Sequence, residues 1–149
     1  MIRGTCLCGS VRFEVSEVSG PFELCHCSRC RKTTGSAFAA SLHVARKSFR
    51  LVQGRDLIGV YEAPLAEAPP AYRTCFCRRC GASVPDALSE TAMIELPAGS
   101  LDDDPGIRPD KHIYVELMAP WFTISDSLPR LDKAALGRHR AARGPAGPW

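Results

Sequence analysis

Val11, Phe13 and Val15 alternate with Arg12 and Glu14, a period-two pattern that predicts a half-buried strand just after Cys6-Leu7-Cys8-Gly9. Residues 36–42 predict another strand, set off by Gly35. Residues 49–52 and 57–61 predict two more, and Gln53-Gly54-Arg55-Asp56 between them reads as the turn of a hairpin. Residues 63–70 are rich in alanine, proline and acids without alternation, which predicts a loop. Strands are then expected over 72–77 and 92–96 and where Ile113, Val115 and Leu117 alternate with polar neighbours, with 121–124 extending the last past Pro120. Only residues 131–143 have helical composition, and 144–149 are expected to be disordered. Short strands with turn signals between them predict an all-β fold.

Composition changes the picture through cysteine. At 149 residues the chain suits one domain with a core of its own, so its eight cysteines exceed what stapling requires. The first residues lack the apolar stretch of a secretory signal and no run approaches about 18 apolar residues, so the expectation is a cytoplasmic protein that does not span a membrane. In a reducing compartment clustered cysteines hold metal or do chemistry more often than they pair. The net charge of +3 belongs to the end of the chain, where residues 130–149 hold five basic groups against one acid. The rest is near neutrality and offers little electrostatic reason to bind nucleic acid. The expected organisation is a metal-binding domain over 1–129 and a basic tail over 130–149, a short helix or partly disordered.

Every cysteine falls in one of three clusters: Cys6-Cys8, Cys25-Cys27-Cys30 and Cys75-Cys77-Cys80. Thiols spaced C-x-C-x2-C cannot conveniently bridge one another, because disulfides need particular Cα separations and Cβ directions, but they can converge on one ion. Structural zinc is closed by four protein ligands, whereas catalytic zinc keeps a position open. Cys8 and Cys80 are each followed by glycine, Gly9 and Gly81, which can take positive φ and let the backbone approach the sulfurs. Cys6, Cys8, Cys77 and Cys80 therefore read as a four-sulfur structural site. Cys25, Cys27 and Cys30 read as a separate centre, followed by the cations Arg31 and Lys32, which favour thiolates and an anionic or thiolate ligand from outside. Alternation puts Cys75 on the same strand face as Cys77, so it is either a fourth sulfur for that centre or a spare thiol.

Together Gly4-x-Cys6-x-Cys8-Gly9-x-Val11-x-Phe13, Cys25-His26-Cys27-Ser28-x-Cys30-Arg31-Lys32, Gly35-Ser36-Ala37-Phe38 and Cys77-x-x-Cys80-Gly81 closely resemble the glutathione-dependent formaldehyde-activating enzymes. Leu101-Asp102-Asp103, Pro109-x-x-His112-Ile113, Pro120-Trp121 and Ile124-x-Asp126-x-Leu128-Pro129 extend the resemblance over residues 4–129. It implies an Mss4-like zinc-binding fold of short antiparallel strands and two zinc ions per chain. One ion would be structural on Cys6, Cys8, Cys77 and Cys80, and one would act in catalysis on Cys25, Cys27 and Cys30. The implied activity is condensation of formaldehyde with glutathione, formally carbon–sulfur lyase chemistry. Cys75, Ala82 and Val84 depart from the usual pattern.

Four other features carry weaker expectations. His26 would point away from the thiols flanking it on an extended chain. His112 reads as a structural hydrogen-bonding residue, with a proton shuttle as the alternative. Asp102 to Gly106 reads as a turn, since it lacks the spaced ligands of a calcium loop. Trp121 reads as core. The leading function is a zinc enzyme acting on a small thiol–aldehyde adduct, with Arg31 and Lys32 holding glutathione or a related thiol. The alternative is a non-enzymatic zinc module that binds a protein or nucleic acid through Arg78, Arg79 and the tail.

Overall fold

A computed structural model describes residues 1–64 and 72–142, so most of the loop expected over 63–70 and all of 144–149 lie outside the described residues. In chain order the elements are β1 (Ile2–Thr5), β2 (Arg12–Val15), β3 (Phe22–Cys25), α1 (Ser28–Thr34), β4 (Ala39–Ala45), β5 (Phe49–Gln53) and β6 (Ile58–Glu62). They continue with β7 (Arg73–Cys77), β8 (Ser83–Val84), β9 (Met93–Pro97), β10 (Lys111–Ile113), β11 (Arg130–Leu131) and α2 (Lys133–Ala142). The fold is all-β, as expected; α2 falls where helical composition was read, and α1 was not anticipated. The chain divides into two compact units, Met1–Ser19 with Val44–Pro105 and Gly20–His43 with Gly106–Trp149.

In the first unit β1, β2 and β5 form one antiparallel sheet and β6, β7 and β8 another. The alternation of β2 buries Phe13 and Val15 while Arg12 faces solvent. Gly4 sits opposite Phe13, and a Cβ there would fall 2.2 Å from the ring, so only glycine lets the two strands close over it. The expected hairpin of 49–52 with 57–61 does not form: β5 pairs with β2 and β6 with β7. Gly54, at φ 86, and a 3-10 turn over Arg55–Leu57 redirect the chain between them. The turn signal marks where the chain bends, and burial decides which strands pair. Cys6, Val11, Ile58, Cys75, Cys77, Val84 and Ala87 form the buried apolar cluster of this unit.

The second unit holds β11, β10, β3 and β4 side by side in that order. β3 and β4 are antiparallel, but β10 runs parallel to both β3 and β11, a departure from the expected antiparallel arrangement. Alternation reveals faces and says nothing of direction. β10 ends at Ile113 because Tyr114 takes a left-handed conformation (φ 56) that starts a 3-10 turn, which cuts short the strand expected through Leu117. Residues 121–124 form no strand, and Trp121 is 71% exposed instead of core. Two charges are buried here: Glu23 on β3 and Lys111 on β10, with Lys111 Nζ 3.4 Å from Glu23 Oε1 and 2.6 Å from Asp110 Oδ1. Arg140 of α2 also reaches Glu23. Among the described residues no helix is long and apolar enough to cross a membrane.

Candidate metal centres

Cys6, Cys8, Cys77 and Cys80 bring their sulfurs within 4.8 Å of one another. The Cys6–Cys8 pair is 3.5 Å apart and the Cys8–Cys77 pair 3.8 Å, both far beyond a disulfide. Zn–S bonds of about 2.3 Å in a tetrahedron require sulfurs roughly 3.8 Å apart, so the donors fit a tetrahedral zinc ion. The turns that deliver them have the anticipated chemistry. Gly9 has φ 70 and Gly81 φ 75, and their amides donate to the carbonyls of Cys6 and Cys77, each at 2.8 Å. The Val11 amide also donates to Cys6 Sγ at 3.2 Å. Without an ion the sulfurs differ in acidity. Hydrogen bonds from Ser10 lower the Cys8 thiol to about 6, the Ala82 amide lowers Cys80, and burial raises Cys77 to about 11.

Cys25, Cys27 and Cys30 form a second group within the same limit, and among the described residues no further Cys, His, Asp or Glu belongs to it. Cys25 closes β3, Cys27 caps α1 and Cys30 lies in its first turn, so the strand-to-helix junction itself gathers the thiols. The Cys30 amide donates to Cys27 Sγ at 3.4 Å. Hydrogen bonds from Cys25 and then Cys30 lower Cys27, the contact with Cys27 and then burial raise Cys25 against a lowering contact from Cys30, and the contacts with Cys25 and Cys27 push Cys30 up. The helix was not legible in the sequence, because seven residues with one buried side chain carry no periodicity and cysteine is an unusual cap.

Cys75 belongs to neither group. It lies in the apolar cluster of the first unit, where burial foremost and then Asp86 raise its thiol to about 12. Arg31 and Lys32 follow Cys30 on α1, Arg31 partly buried with its Nε unpartnered among the described residues, Lys32 exposed. Asp102 and Asp103 form the expected turn, accepting hydrogen bonds from Thr5 and Arg3 of β1.

His26 is fully buried and outside the three-sulfur group. Its Nε2 lies 2.8 Å from Nδ1 of His112, whose Nε2 is 3.0 Å from Asp126 Oδ2. Burial, and then the charge of His112, push the His26 pKa below its usual value. Phe38 and Phe122 flank the His26 ring at centroid separations of 5.5 and 5.8 Å. The sequence signalled His26 and His112 separately, and the parallel pairing of β10 with β3 that joins them was not foreseen.

The fold and these two groups define a class, the small all-β proteins with clustered cysteines suited to metal. The chain belongs to the family of glutathione-dependent formaldehyde-activating enzymes, whose pattern residues 1–117 match. It is 29% identical over 127 residues to a Halomonas elongata protein whose name assigns it provisionally to that activity, covering 83% of this chain and 81% of the relative. It is also similar, at 24% identity and a TM-score of 0.49, to a crystal structure of a Rhodobacter sphaeroides protein, covering 86% of this chain and 98% of that one.

Proposed function

We propose that this protein is a cytoplasmic zinc enzyme of carbon–sulfur lyase type, joining formaldehyde to glutathione or a related thiol and releasing it again. What carries the reading is the difference between four converging sulfurs and three: the smaller group has the donor set of a centre with a position left for a ligand. Cys6, Cys8, Cys77 and Cys80 would hold a structural ion, and Cys25, Cys27 and Cys30 a second. Zinc at the second site would keep a bound thiol deprotonated at neutral pH.

In the condensation the thiol sulfur attacks the carbonyl carbon, a C–S bond forms, and the C=O π pair moves to oxygen, which takes up the proton lost from sulfur. The reverse breaks the C–S bond and returns thiol and aldehyde. Arg31 and Lys32, which follow Cys30 on α1, would meet the carboxylates of the thiol substrate, and the exposed Trp121 packs edge-on against Phe122 beside the His26 ring. The alternative of a module binding nucleic acid or protein through its basic groups has less support. Arg79 is engaged by Ser10 and Arg140 by Glu23.

Exchange spectroscopy on glutathione–formaldehyde mixtures tests the proposal. The protein should accelerate interconversion of free and hydroxymethylated glutathione, and Cys27→Ala should abolish the acceleration. No acceleration by the zinc-loaded wild type would reject the enzyme reading.

A further inference from the structure

The strand edges of the first unit are not protected alike. β8 is two residues long, and the outer side of β1 carries a bridge from Gly4 to Leu101. β5 is five residues long, but its register against β2 slips by one residue, a bulge of the kind that bends an edge away from further pairing. β6 has none of these devices. It runs five residues, Ile58–Glu62, in unbroken register with β7, and it contains no proline and no lysine.

Two hydrogen bonds define the side of β6 that faces away from β7. Beyond its ends the Arg78 amide donates to the Leu57 carbonyl at 2.8 Å, and the Ala63 amide donates to the Tyr72 carbonyl at 2.9 Å. Bonded positions alternate in an antiparallel ladder, so Leu57, Gly59, Tyr61 and Ala63 turn their backbone groups to β7. Ile58, Val60 and Glu62 turn theirs outward, where no backbone group among the described residues meets them. Such a row is satisfied by water or by another strand. Val60 and Tyr61, at 37% and 57% exposure, give that edge apolar side chains to cover.

A second copy running antiparallel completes the row in one register that uses its whole length. The two-fold axis passes through Val60, so Ile58 lies opposite the partner's Glu62 and Val60 opposite the partner's Val60. Gly59 then faces the partner's Tyr61. A Cβ at Gly59 would fall 2.7 Å from the ring of Phe76, its neighbour on β7, so the partner's tyrosine meets that phenyl ring across a position with no side chain of its own. Charge agrees with the same register. Ile58 lines an open cleft of about 610 Å³ with Arg55, Asp56, Arg78 and Leu88. Arg55 and Arg78 are exposed and make no ion pair among the described residues, so with Asp56 the cleft carries net positive charge. The partner's Glu62 arrives beside it. Within its own chain Glu62 meets Arg73 at 3.3 Å, a guanidinium that Asp86 holds more closely at 2.9 Å.

From this match of backbone, aromatic and charged groups we infer that the protein is a homodimer joined along β6, the β6–β7–β8 sheets of two copies fusing into one. Sedimentation of the full zinc-loaded chain over a range of concentrations should show a species of twice the chain mass in reversible equilibrium with monomer. Hydrogen exchange of the wild type, read by NMR, reports the register. The amides of Ile58, Val60 and Glu62 should gain roughly tenfold protection as the dimer fills, while those of Gly59 and Tyr61 keep at every concentration the protection that β7 gives them. Val60→Lys sets like charges face to face on the axis without touching the β7 ladder, and should leave a folded monomer. Glu62→Arg in one chain, and Arg55→Glu with Arg78→Glu in another, should each prevent self-association, yet the two variants mixed should form a heterodimer. A wild type that stays monomeric at its highest soluble concentration would overturn the inference. So would a dimer in which Ile58, Val60 and Glu62 exchange at the monomer rate, or a mixture that fails to associate although circular dichroism shows both variants folded.

Discussion

The two cysteine groups use the same residue and share the C-x-C spacing, yet they are assembled in opposite ways. The four-sulfur group draws its members from the start of the chain and from the end of β7, and each half is folded back by a glycine at positive φ. The three-sulfur group lies within six consecutive residues at one strand-to-helix junction, with cations where the other has glycine. A group built by long-range closure belongs to the architecture, whereas a local one can change ligands without the fold having to open. If both groups hold zinc as proposed, this contrast would make the first a structural site and the second an exchangeable one.

The largest effect expected from the contrast concerns Cys77. Structural zinc contributes about 10–16 kcal/mol of apparent binding energy in small zinc modules, comparable to the whole stability of a domain. Cys77→Ala should therefore lose cooperative unfolding by circular dichroism, whereas Cys27→Ala should keep it and lose only about 1 kcal/mol with the α1 cap. Equal damage from both would erase the distinction. Stepwise chelation should show the same asymmetry: one equivalent of zinc should leave early with the fold intact, and simultaneous release with unfolding would contradict it.

The second unit should depend more on its buried charges. Glu23→Ala leaves Lys111 buried with Asp110 as its main partner, and urea unfolding should show a loss of about 3 kcal/mol. Cys75→Ser tests the boundary between the groups. Because that thiol packs in the apolar cluster, the variant should lose about 1–2 kcal/mol and retain both zinc ions and thiol binding. Metal analysis finding one ion missing would return Cys75 to the ligand set.

The smallest effect lies at the surface. Arg3 holds the Asp103 carboxyl below its ordinary value, so the pair adds stability that is present above pH 4 or so and lost as pH falls through the depressed value. Asp103→Asn should lower Tm slightly at neutral pH, and the two melting curves should converge in acid. A difference that grows in acid would reverse that sign.

The four-sulfur group was legible because glycine after cysteine is a local signal with a backbone meaning, and Gly9 and Gly81 adopt the expected conformation. The membership of Cys75 was not, since alternation placed it on the face of Cys77 and could not say whether that face held metal or hydrocarbon at its position. Strand positions in the first half were largely readable from Val11, Phe13 and Val15 and their like. Pairing was not, as the β5–β6 junction shows, because adjacency in sequence does not measure the burial that each strand gains elsewhere. Trp121 illustrates the same gap: a large aromatic residue after proline carries a strong prior for the interior, and here it projects into solvent.

The sequence distance within each cysteine group also sets a timetable for a chain being synthesised. Its three-sulfur ligands are all present once residue 30 has been made, but the four-sulfur site waits for residue 80 and must then close the long loop between Cys8 and Cys77. If both groups take zinc as proposed, a nascent chain would meet metal first at the three-sulfur group and only afterwards at the four-sulfur one. In a metal-poor cell, the abundance of finished protein would then be governed by the later capture.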